Sequence, residues 1–271
     1  MPDSTPFGPG PFLIAGPCVL EDDRLNLTVA SALATMAQRL RIPITFKASF
    51  DKANRSIAEA ARGPGLSEGL QRLEKVKRES GMLVLTDVHE SGQPAEAADV
   101  ADVLQIPAFL CRQTDLLMAA GRTGRPVNVK KGQWMTPEAM AGALAKVRGA
   151  GSQQVAVTER GSFFGYGDLV VDMRGFERMR AACHAPVIFD ATHSVQQPGK
   201  GERGTSGGQR EFVTPLLLAA AAAGADGFFL ETHPDPANAP SDGPNMIPLG
   251  QLESLVSRAL DVWHAARDKA S

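Results

Sequence analysis

Between residues 47 and 56 the chain reads K-A-S-F-D-K-A-N-R-S. Three cations, Lys47, Lys52 and Arg55, stand within nine residues, interleaved with Ser49, Asn54 and Ser56. Arginine offers phosphate or carboxylate a planar fork, and lysine offers a mobile point charge. An apolar run at 42–46 leads into the cluster. A strand ending there would deliver the polar groups that a pocket for a small polyanion needs. Taken alone, the stretch reads equally well as a solvated basic loop.

The same arrangement recurs along the chain. Apolar runs at 12–15, 42–46, 82–85, 100–104, 126–129, 154–157, 186–189 and 226–230 each lead into groups able to do chemistry. In order these are Cys18, Lys47, Asp87 with His89, Gln105, Lys130 with Gln133, Arg160, Asp190 with His193, and Glu231 with His233. Polar loops account for some of this, but not for chemistry gathered at one end of every run. Lys47, Lys52, Lys130 and Arg160 would form a positive funnel if brought together, which favours an anionic substrate. Cys18, His193, Glu231 and Asp242 supply a thiolate, an imidazole and two carboxylates, a mixed set suited to a divalent first-row ion. No tight local spacing links them, so packing remains the competing reading for Cys18. Cys111 and Cys183 read as core or helix-surface thiols. His89 and His233 read either as proton carriers near neutral pH or as hydrogen-bonded strand-end residues.

Helical patterns fill the intervals. Apolar residues from Leu25 to Leu40 line one helix face. Further helices are expected at 66–80, closed by Gly81, and at 93–98, 114–120, 174–182 and 213–223. Thr136 reads as an N-cap and Pro137 as the first helical position of a helix running to 148. Leu249 to Trp263 mark an amphipathic C-terminal helix. Eight runs alternating with helices at intervals of about 20–40 residues fit right-handed βα units. Buried parallel strands read as short continuous apolar runs. The expected fold is a single-domain (β/α)8 TIM barrel over 12–271, behind a loose Pro/Gly-rich arm at 1–11. An open doubly wound sheet is disfavoured, since no G-x-G-x-x-G follows the first run. In a barrel, strand C-termini build the active site. The loop G-K-G-E-R-G-T-S-G-G at 199–208 lacks the Walker pattern and reads as a lid or crossover.

Bulk properties narrow the class. The chain has 271 residues and a formal net charge of −2, which points away from nucleic-acid and membrane-surface proteins. Three dispersed cysteines argue against a disulfide framework and for a reducing compartment. Neither a signal-peptide pattern nor an apolar stretch of roughly 18 residues is present. A cytoplasmic globular protein is expected.

The motifs I-A-G-P-C, F-K-A-S-F-D-K-A-N-R-S, T-D-V-H, D-A-T-H-S-V-Q and E-T-H-P-D-P occur in that order between about residues 12 and 260. Together they resemble the 3-deoxy-D-manno-octulosonate 8-phosphate synthase family. The sister 3-deoxy-D-arabino-heptulosonate 7-phosphate synthases typically carry K-P-R-T-S where this chain has K-A-N-R-S. The resemblance implies condensation of phosphoenolpyruvate with arabinose 5-phosphate, a step toward lipopolysaccharide, with release of phosphate. It implies that Lys47, Ser49 and Lys52 hold the phosphoenolpyruvate carboxylate. Lys130 and Arg160 would hold its phosphate, near Gln105 and Gln133. Asn54, Arg55 and Ser56 would receive arabinose 5-phosphate, with Asp87 in the substrate site. Arg112 would come from a neighbouring subunit of a homo-oligomer, usually a tetramer. Catalytic roles fall on Lys52, His193 and Asp242. Cys in the A-G-P-C position places the chain with metal-dependent members, and implies a divalent ion (Mn, Fe, Zn, Co or similar) on Cys18, His193, Glu231 and Asp242. The remaining alternatives are a heptulosonate synthase using erythrose 4-phosphate and a non-catalytic sugar-phosphate sensor.

Overall fold

The computed structural model describes residues 5–55, 60–164, 167–197 and 207–268. Eight parallel strands form the frame: β1 Phe12–Gly16, β2 Ile44–Lys47, β3 Leu83–Asp87, β4 Val103–Ile106, β5 Val127–Lys130, β6 Val155–Glu159, β7 Val187–Asp190 and β8 Gly227–His233. Each pairs with the next in sequence, and β1 pairs with β8, so the sheet closes into a barrel. Closure sets Phe12 opposite Gly227 and Gly16 opposite Glu231. This is the (β/α)8 barrel that the eight apolar runs imply.

Among the described residues eight α-helices follow the strands: α1 Asp23–Leu40, α2 Leu66–Ser80, α3 Gln93–Val100, α4 Thr114–Arg122, α5 Met140–Ala150, α6 Gly175–Cys183, α7 Val213–Ala223 and α8 Leu249–Arg267. Local chemistry sets their ends. Asp22 caps α1 by accepting from the Leu25 N–H at 2.9 Å. Gly81, at φ 68°, stops α2 in the left-handed conformation that a side chain resists. Two expectations shift. Val100 belongs to α3, and the fourth strand begins only at Val103. Thr136 does accept from the Ala139 N–H at 3.3 Å, but α5 starts at Met140. Met140 N and Ala141 N bond three residues back, to Pro137 and Glu138, so the entry is a tight turn rather than α-helix.

The core has two parts. Between the helices and the outside of the barrel lies the larger cluster, which includes Leu33, Phe46, Leu73, Leu144 and Val256. Inside the barrel, Phe12, Ile14, Leu85, Val103, Ala156, Ile188 and Phe229 form an apolar plug, with Phe7 packed against it. Gly16 is required by a close approach of β1 to β2, because a Cβ there would stand 1.9 Å from the Lys47 carbonyl oxygen. Of the described residues, no helix is long and apolar enough to cross a membrane.

Candidate active site

At the strand C-termini a cavity of about 940 Å³ opens. Its wall includes Lys47, Lys52, Asn54, Arg55, Asp87, Gln105, Lys130, Gln133, Arg160, His193 and Asp242. Cations and hydrogen-bonding groups spread over some 200 residues of chain thus share one space. They meet because each stands at or just beyond the same end of its strand.

Beside this cavity lies an acidic core. Lys47 is 2% exposed and donates from Nζ to Glu231 Oε1 at 2.9 Å and to the Cys18 carbonyl at 2.8 Å. Cys18 Sγ donates to Asp242 Oδ2 at 3.3 Å. Donor atoms of Cys18, Glu231 and Asp242 all lie within 4.8 Å of one another. His193 stands at the edge of that group, with Nε2 3.8 Å from Glu231 Oε2. Its Nδ1 is held 2.7 Å from Asp190 Oδ2, and its backbone N–H donates to Asp190 Oδ1 at 2.9 Å. An ionised Asp190 can only accept, so it takes a hydrogen bond from Nδ1–H and turns Nε2 toward Glu231. Glu231 Oε2 is buried without a hydrogen-bond partner among the described residues. The thiol and the Glu231 and Asp242 carboxylates gathered there fit a divalent cation, with the His193 imidazole at the edge of the group rather than within it. Burial, followed by the charge of Glu231, pushes the Cys18 thiol far above its usual range. The thiolate form therefore calls for a strong positive charge nearby.

The anion side is built from Lys130, Arg160, Lys52 and Arg55. Lys130 Nζ donates to Asp190 Oδ2 and lies 3.4 Å from the centroid of the Phe229 ring. Burial lowers its pKa, against the pull of Asp190. Arg160 gives Nη2 to Gln196 Oε1, while its Nη1 is buried without a partner among the described residues. Lys52 Nζ donates to Ser49 Oγ at 3.0 Å, and Ser49 Oγ in turn donates to Asp87. Burial disfavours the Lys52 ammonium, but the acidic neighbours Cys18, Glu231, Asp87 and Asp242 outweigh it and raise its pKa. Gln105 Oε1 accepts from Asn128 Nδ2 at 3.0 Å. Arg55 bonds Ser241 Oγ through Nη1 at 2.9 Å, and Ser241 Oγ donates to Asp242 Oδ2 at 2.8 Å. Asn54 is exposed at the cavity wall. Arg112 is exposed and does not line the cavity of its own chain. Ser56 and residues 199–206 of the expected lid lie outside the described residues.

The two ambiguous histidines part company. His89 lines the cavity and bonds Asp87 at 2.9 Å through Nε2. His233 does not line it. His233 Nε2 lies 3.0 Å from Glu21 Oε1, and its Nδ1 accepts from the Asp235 N–H, so it ties the first loop to the last. Cys111 and Cys183 are buried free thiols, as their positions suggest.

The carboxylates of Asp87, Asp190, Glu231 and Asp242 make the fold acid-sensitive. Burial alone would raise each pKa, but nearby cations and hydrogen bonds reverse the sign and hold all four below the usual range. A depressed folded pKa stabilises the fold above the unfolded value of about 4 and is lost as pH falls through the folded value. The melting temperature is therefore expected to fall steeply below about pH 4. Glu159, whose pKa burial raises, works in the opposite direction. Melts followed by circular dichroism across pH 2–7 check this; a melting temperature that rises on acidification would refute it.

The sequence profile of the DAHP synthetase I family matches residues 8–265. The chain belongs to that family. Within it, the chain is similar to proteins named 2-dehydro-3-deoxyphosphooctonate aldolase. The protein of that name from Nitrobacter winogradskyi is 55% identical over 260 residues, covering 95% of this chain and 90% of the relative. One from a Bradyrhizobium strain is 57% identical over 259 residues, covering 96% of this chain and 90% of the relative. One from Alkalilimnicola ehrlichii is 56% identical over 251 residues, covering 93% of this chain and 90% of the relative.

Two wall residues, Gln196 and Arg210, were given no role by the sequence. Gln196 closes the D-A-T-H-S-V-Q stretch and bridges Arg160 to Asp242. Arg210 follows the Gly-rich loop and donates from Nη2 to the Gly243 carbonyl at 2.6 Å. For Gln196 the signal was its place just past a strand end. Arg210 had no comparable local signal.

Proposed function

We propose that the chain condenses phosphoenolpyruvate with D-arabinose 5-phosphate and water, giving 3-deoxy-D-manno-octulosonate 8-phosphate and inorganic phosphate. The observation that carries the reading is one cavity in which Lys47, Lys52, Arg55, Lys130 and Arg160 converge beside the Cys18–Glu231–Asp242 group. Two phosphates and a carboxylate repel one another, and fixed cations in a partly dry site hold them together at little reorganisation cost. The relatives' name and the A-N-R-S segment favour this over the heptulosonate reaction. The polar strand ends of this cavity argue against a non-catalytic sensor.

Lys130 and Arg160, the latter with a buried N–H that has no partner among the described residues, receive the phosphoenolpyruvate phosphate. Lys47, Ser49 and Lys52 face its carboxylate, with Gln105 and Gln133 beside it. Asn54, Arg55 and Ser56 take arabinose 5-phosphate, with Asp87 holding Ser49 and His89 in place. C3 of phosphoenolpyruvate attacks the aldehyde carbon, whose oxygen gains a proton. Water adds at C2, and the resulting hemiketal loses phosphate. Lys52, His193 and Asp242 line the reacting space and are the candidates to hold or move protons there. Cys18, His193, Glu231 and Asp242 would hold a divalent ion, which supplies Lewis-acid polarisation when bound.

The protein is proposed to work in the cytoplasm on the route to lipopolysaccharide, as a homotetramer without nucleic-acid or membrane partners. Arg112 supports the assembly, since it is exposed and stands away from its own cavity. Phe109 and Trp134 stack at 6.0 Å and are 47% and 49% exposed, an aromatic rim that a second copy would cover.

Phosphate release from phosphoenolpyruvate with arabinose 5-phosphate tests the reading, using chelator-stripped protein before and after Mn²⁺ is restored. Release only after restoration is expected. Release in chelator would keep the reaction and remove the metal. Release with erythrose 4-phosphate alone would move the chain to the sister activity, and none with either would revive the sensor.

A further inference from the structure

Gln196 sits between two opposite charges. Its Oε1 accepts from Arg160 Nη2, and its Nε2 donates to Asp242 Oδ1 at 2.6 Å. The amide can point only one way, because the flipped form would set its NH₂ against a guanidinium and its oxygen against a carboxylate. Its backbone is held independently. Gln196 and Gln197 pair with Gly208 and Gly207 in an antiparallel ladder, and Gln197 Nε2 bonds Asp168 at 2.6 Å. The Gln196 side chain is thus free to serve a purpose other than holding the loop.

We propose that Gln196 is a positioning residue that couples an anion at Arg160 to a divalent cation at Cys18, Glu231 and Asp242, so that each tightens the other's binding. The inference rests on the metal site proposed above. Arg160 polarises the Gln196 carbonyl, which strengthens the N–H···Asp242 bond and draws charge from that carboxylate. An anion at Nη1 of Arg160, which has no partner among the described residues, compensates the guanidinium and relaxes this pull. Asp242 then turns its full charge to the cation. In reverse, a cation on Asp242 leaves Arg160 less compensated and strengthens its hold on the anion. By linkage the two effects are equal in size. Mutually reinforcing loading of anion and cation follows from this arrangement, without movement of a domain.

Co²⁺ binding to the stripped full-length chain measures the coupling through the thiolate-to-metal absorption band at Cys18, with and without inorganic phosphate and with free Co²⁺ buffered. In the wild-type protein phosphate is expected to tighten Co²⁺ by about 5- to 150-fold. In Gln196→Met, which keeps length and removes both bonds, that ratio is expected to fall at least about threefold, with Gln196→Ala agreeing. Circular dichroism verifies the fold of each variant. A wild-type ratio near one overturns the proposal. So does an unchanged ratio in both variants, and so does loss of Co²⁺ binding by folded variants, which would make Gln196 a binding residue. Turnover is read separately. A chain that couples phosphate to Co²⁺ but does not act on phosphoenolpyruvate loses the proposed reaction and keeps this inference, and the converse result does the opposite.

Discussion

Lys47→Met is expected to destabilise the fold by about 3–5 kcal/mol and to abolish phosphate release. Lys47 and Glu231 are both buried, at 2% and 0% exposure, and their ion pair closes at 2.9 Å. Removing the cation leaves Glu231 Oε1 in the barrel interior without its donor, and His193, 3.8 Å from Oε2, is too distant to replace that hydrogen bond. Breaking such a pair costs far more than the pair itself contributes. The Cys18 carbonyl loses its donor in the same change. Urea unfolding reads the loss as a lowered midpoint. Adding Glu231→Gln to the variant removes the unpaired charge and should restore most of the stability. Activity should not return, because the cation and the carboxylate are both proposed to face substrate or metal. An unchanged midpoint for the single variant would mean that water reaches Glu231.

Cys18→Asn is expected to keep the fold and to weaken a bound divalent ion at least as much as the roughly 10- to 100-fold lost when outer-shell partners are removed. Cys18 adopts φ 41°, in the left-handed region where asparagine is among the more tolerant residues. Backbone strain should therefore ease rather than grow. What disappears is the sulfur that stands 3.3 Å from Asp242 and within the 4.8 Å donor group. Calorimetric titration with Mn²⁺ or Co²⁺ gives the affinity, and phosphate release in chelator gives the consequence. Unaltered affinity would take the thiol out of the site. Full activity in chelator would show that the ion is dispensable.

Much of the barrel was legible because buried parallel strands obey a simple rule. Apolar faces on both sides turn each strand into a continuous run, and each of the eight runs overlaps a strand, the fourth only from Val103 onward. Helices α2 and α7 run over the intervals expected, since periodicity and a following glycine mark their limits. The start of α5 was not legible. Thr136 and Pro137 favour a helix start, but the same residues favour the tight turn found there.

The chemical groups and the end of the barrel that carries them were thus properties of the sequence. Alternation of apolar runs with helices determines the topology, and the topology places the residue after each run at one rim. Who bonds whom was decided only by the closed structure. Lys130 and His193 meet at Asp190, Arg160 meets Asp242 through Gln196, and His233 meets Glu21 across 212 positions. Such pairs depend on the angular order of strands around the ring and on rotamers set by packing, which no local spacing encodes. For that reason a histidine that read either as a proton carrier or as a hydrogen-bonded strand-end residue ties two loops together, and a glutamine given no role of its own lies between the two charges of the site.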